Sequence, residues 1–246
     1  MDFHCHLDLY PNAREVYAQT LEVNAFTWLV TTSPRAFAAT SKVLGGNPHV
    51  LITPGLHPEI VHERHGELGM LLEQIKQVSA VGEVGLDGSR RFQHSYEMQR
   101  KVFTAAVEQC AAVGGRVLSI HSRQAVRDVL SVLADHPGFG TAVLHWFTGT
   151  VVELKAASDQ GCWFSIGPAA FNSATGKALA KKLPRDRVVP ESDGPFAQVN
   201  GATVMPWSSD DTAHLLAQAW GLPTELVKLS LESNARRLIG LIDAIG

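Results

Sequence analysis

Short apolar, strand-like runs alternate with longer helix-like segments along this chain, and the alternation repeats eight times. The strand-like runs fall at residues 1–3, 26–31, 50–53, 80–84, 116–120, 141–144, 162–166 and 187–191. Helix-like segments follow at 11–23, 33–44, 66–77, 93–113, 122–134, 151–160 and 173–183, and two or three more run from Asp210 onward. Local signals support the boundaries. Ser33-Pro34 is a hydroxyl cap followed by proline at the first helical position. Leu68, Leu71, Leu72 and Ile75 share one helical stripe. Pro54-Gly55 stops the third strand, Gly114-Gly115 ends the longest helix, and Ser122 caps the helix after the fifth strand. Strand–helix alternation predicts a parallel sheet with helices outside it. Eight units in 246 residues, near the roughly 250 of a complete barrel, favour a closed α/β (β/α)8 TIM barrel over an open doubly wound sheet. The barrel is read as one domain, residues 1–246, with no internal repeat, low-complexity tract or linker. The longest irregular stretch, 194–208, follows the eighth strand, where barrel enzymes place substrate loops.

The formal net charge is −3, which argues against a broad basic surface for duplex binding. It leaves room for a nucleic-acid enzyme, because bound cations supply local positive charge. No apolar run approaches the roughly 20 residues of a membrane span, and the N-terminus lacks a basic-then-apolar leader. The three cysteines, Cys5, Cys110 and Cys162, form neither a disulfide framework nor a Cys-rich zinc site. A reducing cytoplasm is the natural setting.

Metal-binding side chains recur at or after the strand-like runs. They are His4 and His6, Glu83, His121, His145 and Asp193. The C-terminal ends of parallel barrel strands share one face, so these groups would converge on one pocket. Four imidazoles and two carboxylates are enough for two divalent ions. His4 and His6 are two apart and point to the same side of an extended segment. Cys5 between them turns the other way and reads as a buried small hydrophobe. Glu83 sits in an apolar, Gly-flanked strand, where burial without a partner is costly. It is either ion-paired to a neighbouring strand or bridges two cations. Asp87 is either a group that orients a ligand or a loop cap. Each residue is ambiguous alone; their joint placement is what points to a metal centre.

In chain order these residues belong to a longer set. It runs Asp-x-His-x-His-Leu-Asp from Asp2 to Asp8, Gly55-Leu56-His57-Pro58-Glu59, and Gly82-Glu83-Val84-Gly85-Leu86-Asp87. It continues with Gln99 and Phe103, His121-Ser122-Arg123-x-Ala125, His145-x-Phe147-Thr148-Gly149, Glu191-Ser192-Asp193-Gly194-Pro195 and Asn234-x-x-Arg237-Leu238. This set resembles the TatD family of metal-dependent deoxyribonucleases over nearly the whole chain. The resemblance implies a two-metal hydrolase of phosphodiesters, acting on DNA and often on single-stranded ends. It implies that His4, His6, Glu83 and Asp193 hold one ion, and Glu83, His121 and His145 the other. It implies that His57 and Arg123 contact the phosphate, although Arg123 equally suits a rim ion pair. Magnesium, manganese and zinc all remain open.

The chain departs from the family pattern at Gly88, Gln124, Trp146 and the loop 196–208. The opening His-Cys-His-Leu-Asp-Leu-Tyr-Pro and the divergent loop look most like the TatD-like subunit of Qat anti-phage defence systems, which implies protein partners in a defence complex. Two rivals stand beside the nuclease. One is an amidohydrolase-like or aminoacyl-ester hydrolase, whose metals polarise a carbonyl; many amide-cleaving relatives bridge their ions with a modified lysine, where this chain has Glu83. The other is a binding subunit that uses exposed apolar residues such as Phe196 and Trp207, although these equally suit loop anchors.

Overall fold

A computed structural model describes residues 1–245. Eight parallel strands form the barrel: β1 (Asp2–Cys5), β2 (Thr27–Val30), β3 (Val50–Thr53), β4 (Ala80–Gly85), β5 (Arg116–His121), β6 (Gly140–Leu144), β7 (Trp163–Ile166) and β8 (Val188–Pro190). The helices are α1 (Ala13–Val23), α2 (Pro34–Leu44), α3 (Val61–Arg64), α4 (Leu68–Ile75), α5 (Tyr96–Ala112), α6 (Val126–Asp135), α7 (Val151–Asp159), α8 (Ala174–Ala180), α9 (Ser209–Trp220) and α10 (Thr224–Asp243). None is long and apolar enough to cross a membrane.

Regular ladders join β1-β2-β3 and β4-β5-β6-β7-β8. Backbone bonds outside the ladders bridge both seams. His4 O accepts from Asp193 N at 2.9 Å and Gly194 O from His6 N at 2.8 Å, while Pro54 O accepts from Gly82 N at 2.9 Å. Each seam therefore runs through a stretch that carries candidate ligands.

Apolar packing is divided by the sheet. Outside it, leucines and valines of the strands meet the inner stripes of the helices, including Leu71 and Ile75 of α4 and Val129 and Leu133 of α6. Inside, Phe3, Trp28, Val117, Val143 and Val189 fill the lower barrel against Ala235, Leu238 and Ile242 of α10. The last helix thus packs on the N-terminal mouth and leaves the opposite mouth to the polar residues. Cys5 packs outward with Leu7, Leu29 and Leu44, as its alternation predicts.

Most boundaries match the pattern to within a few residues. Ser33 caps α2 by accepting from Ala36 N at 3.2 Å. Two expectations fail locally. Ser122 does not cap α6: the helix begins at Val126, and the Ser122 carbonyl closes a turn with Ala125 N at 3.1 Å. The stretch 194–208 is not wholly irregular, because β9 (Gln198–Val199) and β10 (Ala202–Thr203) pair in an antiparallel ribbon. Asn200-Gly201 between them both have positive φ, 52° and 81°, the geometry that Asn-Gly supplies in tight hairpins.

Candidate metal centre

All six sequence-predicted ligands converge at the upper mouth around one carboxylate. Glu83 Oε1 lies 2.9 Å from His121 Nδ1 and 2.8 Å from His145 Nε2. Its other oxygen, Oε2, lies 3.1 Å from His6 Nε2 and 3.4 Å from His4 Nε2. Asp193 Oδ1 stands 3.5 Å from His4 Nε2 and 3.8 Å from His6 Nε2. Four ligand-atom groups compact enough for a cation lie here: His4–His6–Glu83, His4–His145–Asp193, His57–Glu83–His121 and Glu59–Asp87–His121.

Backbone irregularities aim these side chains. The β1–β2 register shifts between Asp2 and Cys5, and the β4–β5 register shifts between Val81 and Val84. His4 and Glu83 fall in these two shifts. A bulge re-aims a side chain within a strand. Glu83 lies inside β4, as the run 80–84 places it. Gly55 is required beside it, because a Cβ there would meet Glu83 N at 2.3 Å. His121 ends β5, His145 follows β6 directly, and Asp193 follows β8 by three residues with φ of 49°, a conformation Asp tolerates better than most.

His57 lies closer in than a phosphate contact alone requires. Its Nε2 is 3.2 Å from Glu83 Oε1. Arg123 is exposed on the loop after β5 and makes no ion pair among the described residues, so the rim pair considered for it does not form here. Asp87 fills both roles considered for it: Oδ2 is 2.9 Å from His121 Nε2, and Oδ1 accepts from Ser89 N at 2.8 Å.

Several supporting residues escape a reading of the sequence. Ser119 Oγ is 2.7 Å from His4 Nδ1. Its signal is a polar side chain in the apolar run 117–120, two before His121 and so on the same face. Glu191 accepts from Ser165 Oγ at 2.5 Å and from Trp146 N at 2.9 Å, which pins the turn after His145, where Trp146 has φ of 35°. Asp2 accepts from His4 N and Ser192 N at 3.1 and 3.0 Å, tying the first and last ligand segments together.

The electrostatics suit cations. Burial would raise the Glu83 carboxyl, but the surrounding imidazoles of His57, His145 and His4 and the His121 bond hold it well below the usual range. Burial keeps His4 neutral, helped by His145, and lowers His145 as well. Burial, then the charges of Glu83 and Glu191, raises Asp193 well above an ordinary carboxyl. Burial would lower His121, yet its bonds to Asp87 and Glu83 lift it to about 10.

One contact tests whether a cation fits. A neutral His4 that donates its Nδ1 proton to Ser119 turns a lone pair on Nε2 towards Glu83 Oε2. Both atoms are buried and neither has a hydrogen-bond partner. Two facing acceptors without a proton between them cost roughly 1–3 kcal/mol each. A cation between them removes that cost, so the residues fit a metal.

The family described as TatD related DNase matches residues 1–240 of the chain. A protein of Pantoea ananatis named 3'-5' ssDNA/RNA exonuclease TatD is 31% identical, over 77% of this chain and 78% of its own. A protein of Buchnera aphidicola named as an uncharacterized metal-dependent hydrolase is 27% identical over 98% of this chain and 96% of its own. The crystal structure of a TatD homologue from Escherichia coli superposes with a TM-score of 0.83 at 20% identity, covering 95% of each chain.

Proposed function

The chain belongs to the TatD-related DNase family, and on that premise we propose that it is a two-metal phosphodiesterase that trims the ends of single-stranded DNA. The observation that carries this reading is the divided use of one carboxylate. Glu83 turns Oε1 to His121 and His145 and Oε2 to His4 and His6. In this reading His4, His6, Glu83 and Asp193 hold one ion, and Glu83, His121 and His145 hold the other. Imidazoles with carboxylates admit magnesium, manganese or zinc. When bound, the ions would supply Lewis-acid stabilisation of phosphate charge and an acidified water.

The chain's own groups then have distinct tasks. Neutral His4 and His145 present lone pairs, held in place by Ser119 and by the Glu191-pinned turn. Asp193 takes the proton of the attacking water. His57 and Arg123 bind the phosphate; a guanidinium matches two of its oxygens. The water oxygen bonds to phosphorus, the P–O bond to the neighbouring sugar breaks, and the leaving oxygen takes up a proton. The names of the relatives, which include 3'-5' exonucleases on single-stranded DNA and RNA and deoxyribonucleases, support the choice of substrate and of strand ends.

The test is end-labelled single-stranded DNA incubated with protein stripped and reloaded with magnesium, manganese or zinc, beside Asp193→Asn. Metal-dependent shortening that the variant loses supports the proposal, and the ladder gives the polarity. No shortening with any metal, in protein shown to bind it, overturns it.

A further inference from the structure

We infer that a turn after β4 carries the strand's phosphates away from the metal centre, with Arg90 and Arg91 as its contact residues. This rests on the proposed nuclease and specifies where its polymeric substrate runs. Arg90 and Arg91 are the central residues of a turn closed by Phe92 N donating to Ser89 O at 3.0 Å. Both are exposed, while Ser89 and Phe92 on either side are buried. The arginines are therefore presented on an anchored base, not on a free loop. Neither makes an ion pair among the described residues. Arg91 only rests over the Phe92 ring at 5.0 Å.

The turn is tied to the metal centre by a short relay. Ser89 N donates to Asp87 Oδ1 at 2.8 Å, and Asp87 Oδ2 is 2.9 Å from His121 Nε2. The next residue, Gly88, donates to Arg123 O at 2.8 Å. Arg123, Arg90 and Arg91 thus sit on two loops locked to each other and to His121. Of the acids on this side, Asp87 is bonded to His121, and the Glu59 carboxylate lies within reach of a cation shared with Asp87 and His121. Other exposed arginines divide: Arg14 and Arg100 also lack an ion pair among the described residues, whereas others are paired. Arg64, Arg127 and Arg236 pair with Glu67, Glu153 and Glu232. Across the mouth the exposed Phe196 ring lies 5.1 Å from His6, while Arg123, Arg90 and Arg91 cluster on the β4 and β5 loops. Three unpaired cations on a chain of net charge −3 fit a polyanion that reaches the metals from that side, and adjacent residues reach successive phosphates of an extended strand.

The test compares Arg90→Ala/Arg91→Ala with Arg236→Glu, a change of equal net charge on α10 at the other mouth. Substrates are a thymidine dinucleotide and a thymidine 20-mer, in metal-loaded protein across a salt series. For the double variant, kcat/KM on the 20-mer is expected to fall about tenfold at low salt, and its salt slope to shrink by about 1.4, roughly 0.7 for each lost phosphate contact. The loss on the dinucleotide stays within about twofold, the difference a lost distant contact makes. Equal loss on both lengths, no loss on either, or an equal loss in Arg236→Glu overturns the inference. Anisotropy of a fluorescein-labelled 20-mer separates this from the nuclease reading. If wild type cleaves neither substrate, weaker binding by the double variant alone still supports the track, and equal binding overturns it.

Discussion

His4 Nε2 and Glu83 Oε2 face each other at 3.4 Å, buried, and neither has a hydrogen-bond partner. With the His4 proton on Nδ1 and no cation, the pair is two lone pairs in a dry interior. With one it becomes two ligands already in place. The barrel has built this arrangement from strands far apart in sequence, and Ser119 Oγ, 2.7 Å from His4 Nδ1, holds the ring with Nε2 towards Glu83.

Ser119→Ala should therefore weaken metal binding more than it weakens the fold. The His4 ring loses the 2.7 Å contact that orients it. Supporting groups of this kind are worth about 10–100-fold in metal affinity, against about 1 kcal/mol of stability for one hydrogen bond. Calorimetric metal titration beside a denaturant melt checks both. Ser119→Thr, which keeps the hydroxyl, should recover most of the affinity.

Metal loading near pH 7 should release protons. In the ion-free protein His121 is raised to about 10, against burial, by Asp87 and Glu83, and so carries a proton at neutral pH. Burial and the charges of Glu83 and Glu191 raise Asp193 as well. Ligands must be deprotonated to bind. Stopped-flow loading with manganese and a pH indicator should acidify the solution, and the acidification should diminish above pH 10 as His121 loses its proton beforehand.

Glu191 gives a stability prediction with a definite sign. Burial raises its carboxyl to about 8 from 4.5. A raised carboxyl stabilises the fold fully below its unfolded value and loses that contribution as pH rises through the folded one. Ion-free wild type should lose stability between about pH 4.5 and pH 8, and Glu191→Gln should lose less, because the amide has no proton to release. At pH 7 the amide still accepts from Trp146 N, so Glu191→Gln should melt near wild type, while Glu191→Ala should lose about 1–3 kcal/mol.

The strand–helix alternation carries the barrel in plain view, since period and turn residues are local properties. The ligands at strand ends, His121 and His145, are legible for the same reason. What is hidden depends on register. The shift that aims Glu83 is a property of the β4–β5 pairing, not of Ala80-Val81-Gly82. The Ser119–His4 contact joins residues 115 apart, so only the closed barrel reveals it. Ser122 misleads because a serine at a helix approach suits a cap or a turn equally, and tertiary packing chose the turn. The ribbon at 198–203 was readable from Asn200-Gly201, but its two-residue strands are too short for period-two alternation to register.

The most direct measurement is electron paramagnetic resonance of protein titrated with manganese, with bound metal counted in the same samples. Two manganese per chain with an exchange-coupled spectrum, and loss of the coupling in Glu83→Gln, is the result expected if Glu83 bridges two ions. A single manganese with an uncoupled six-line spectrum in wild type, or coupling that survives in Glu83→Gln, would contradict the bridge.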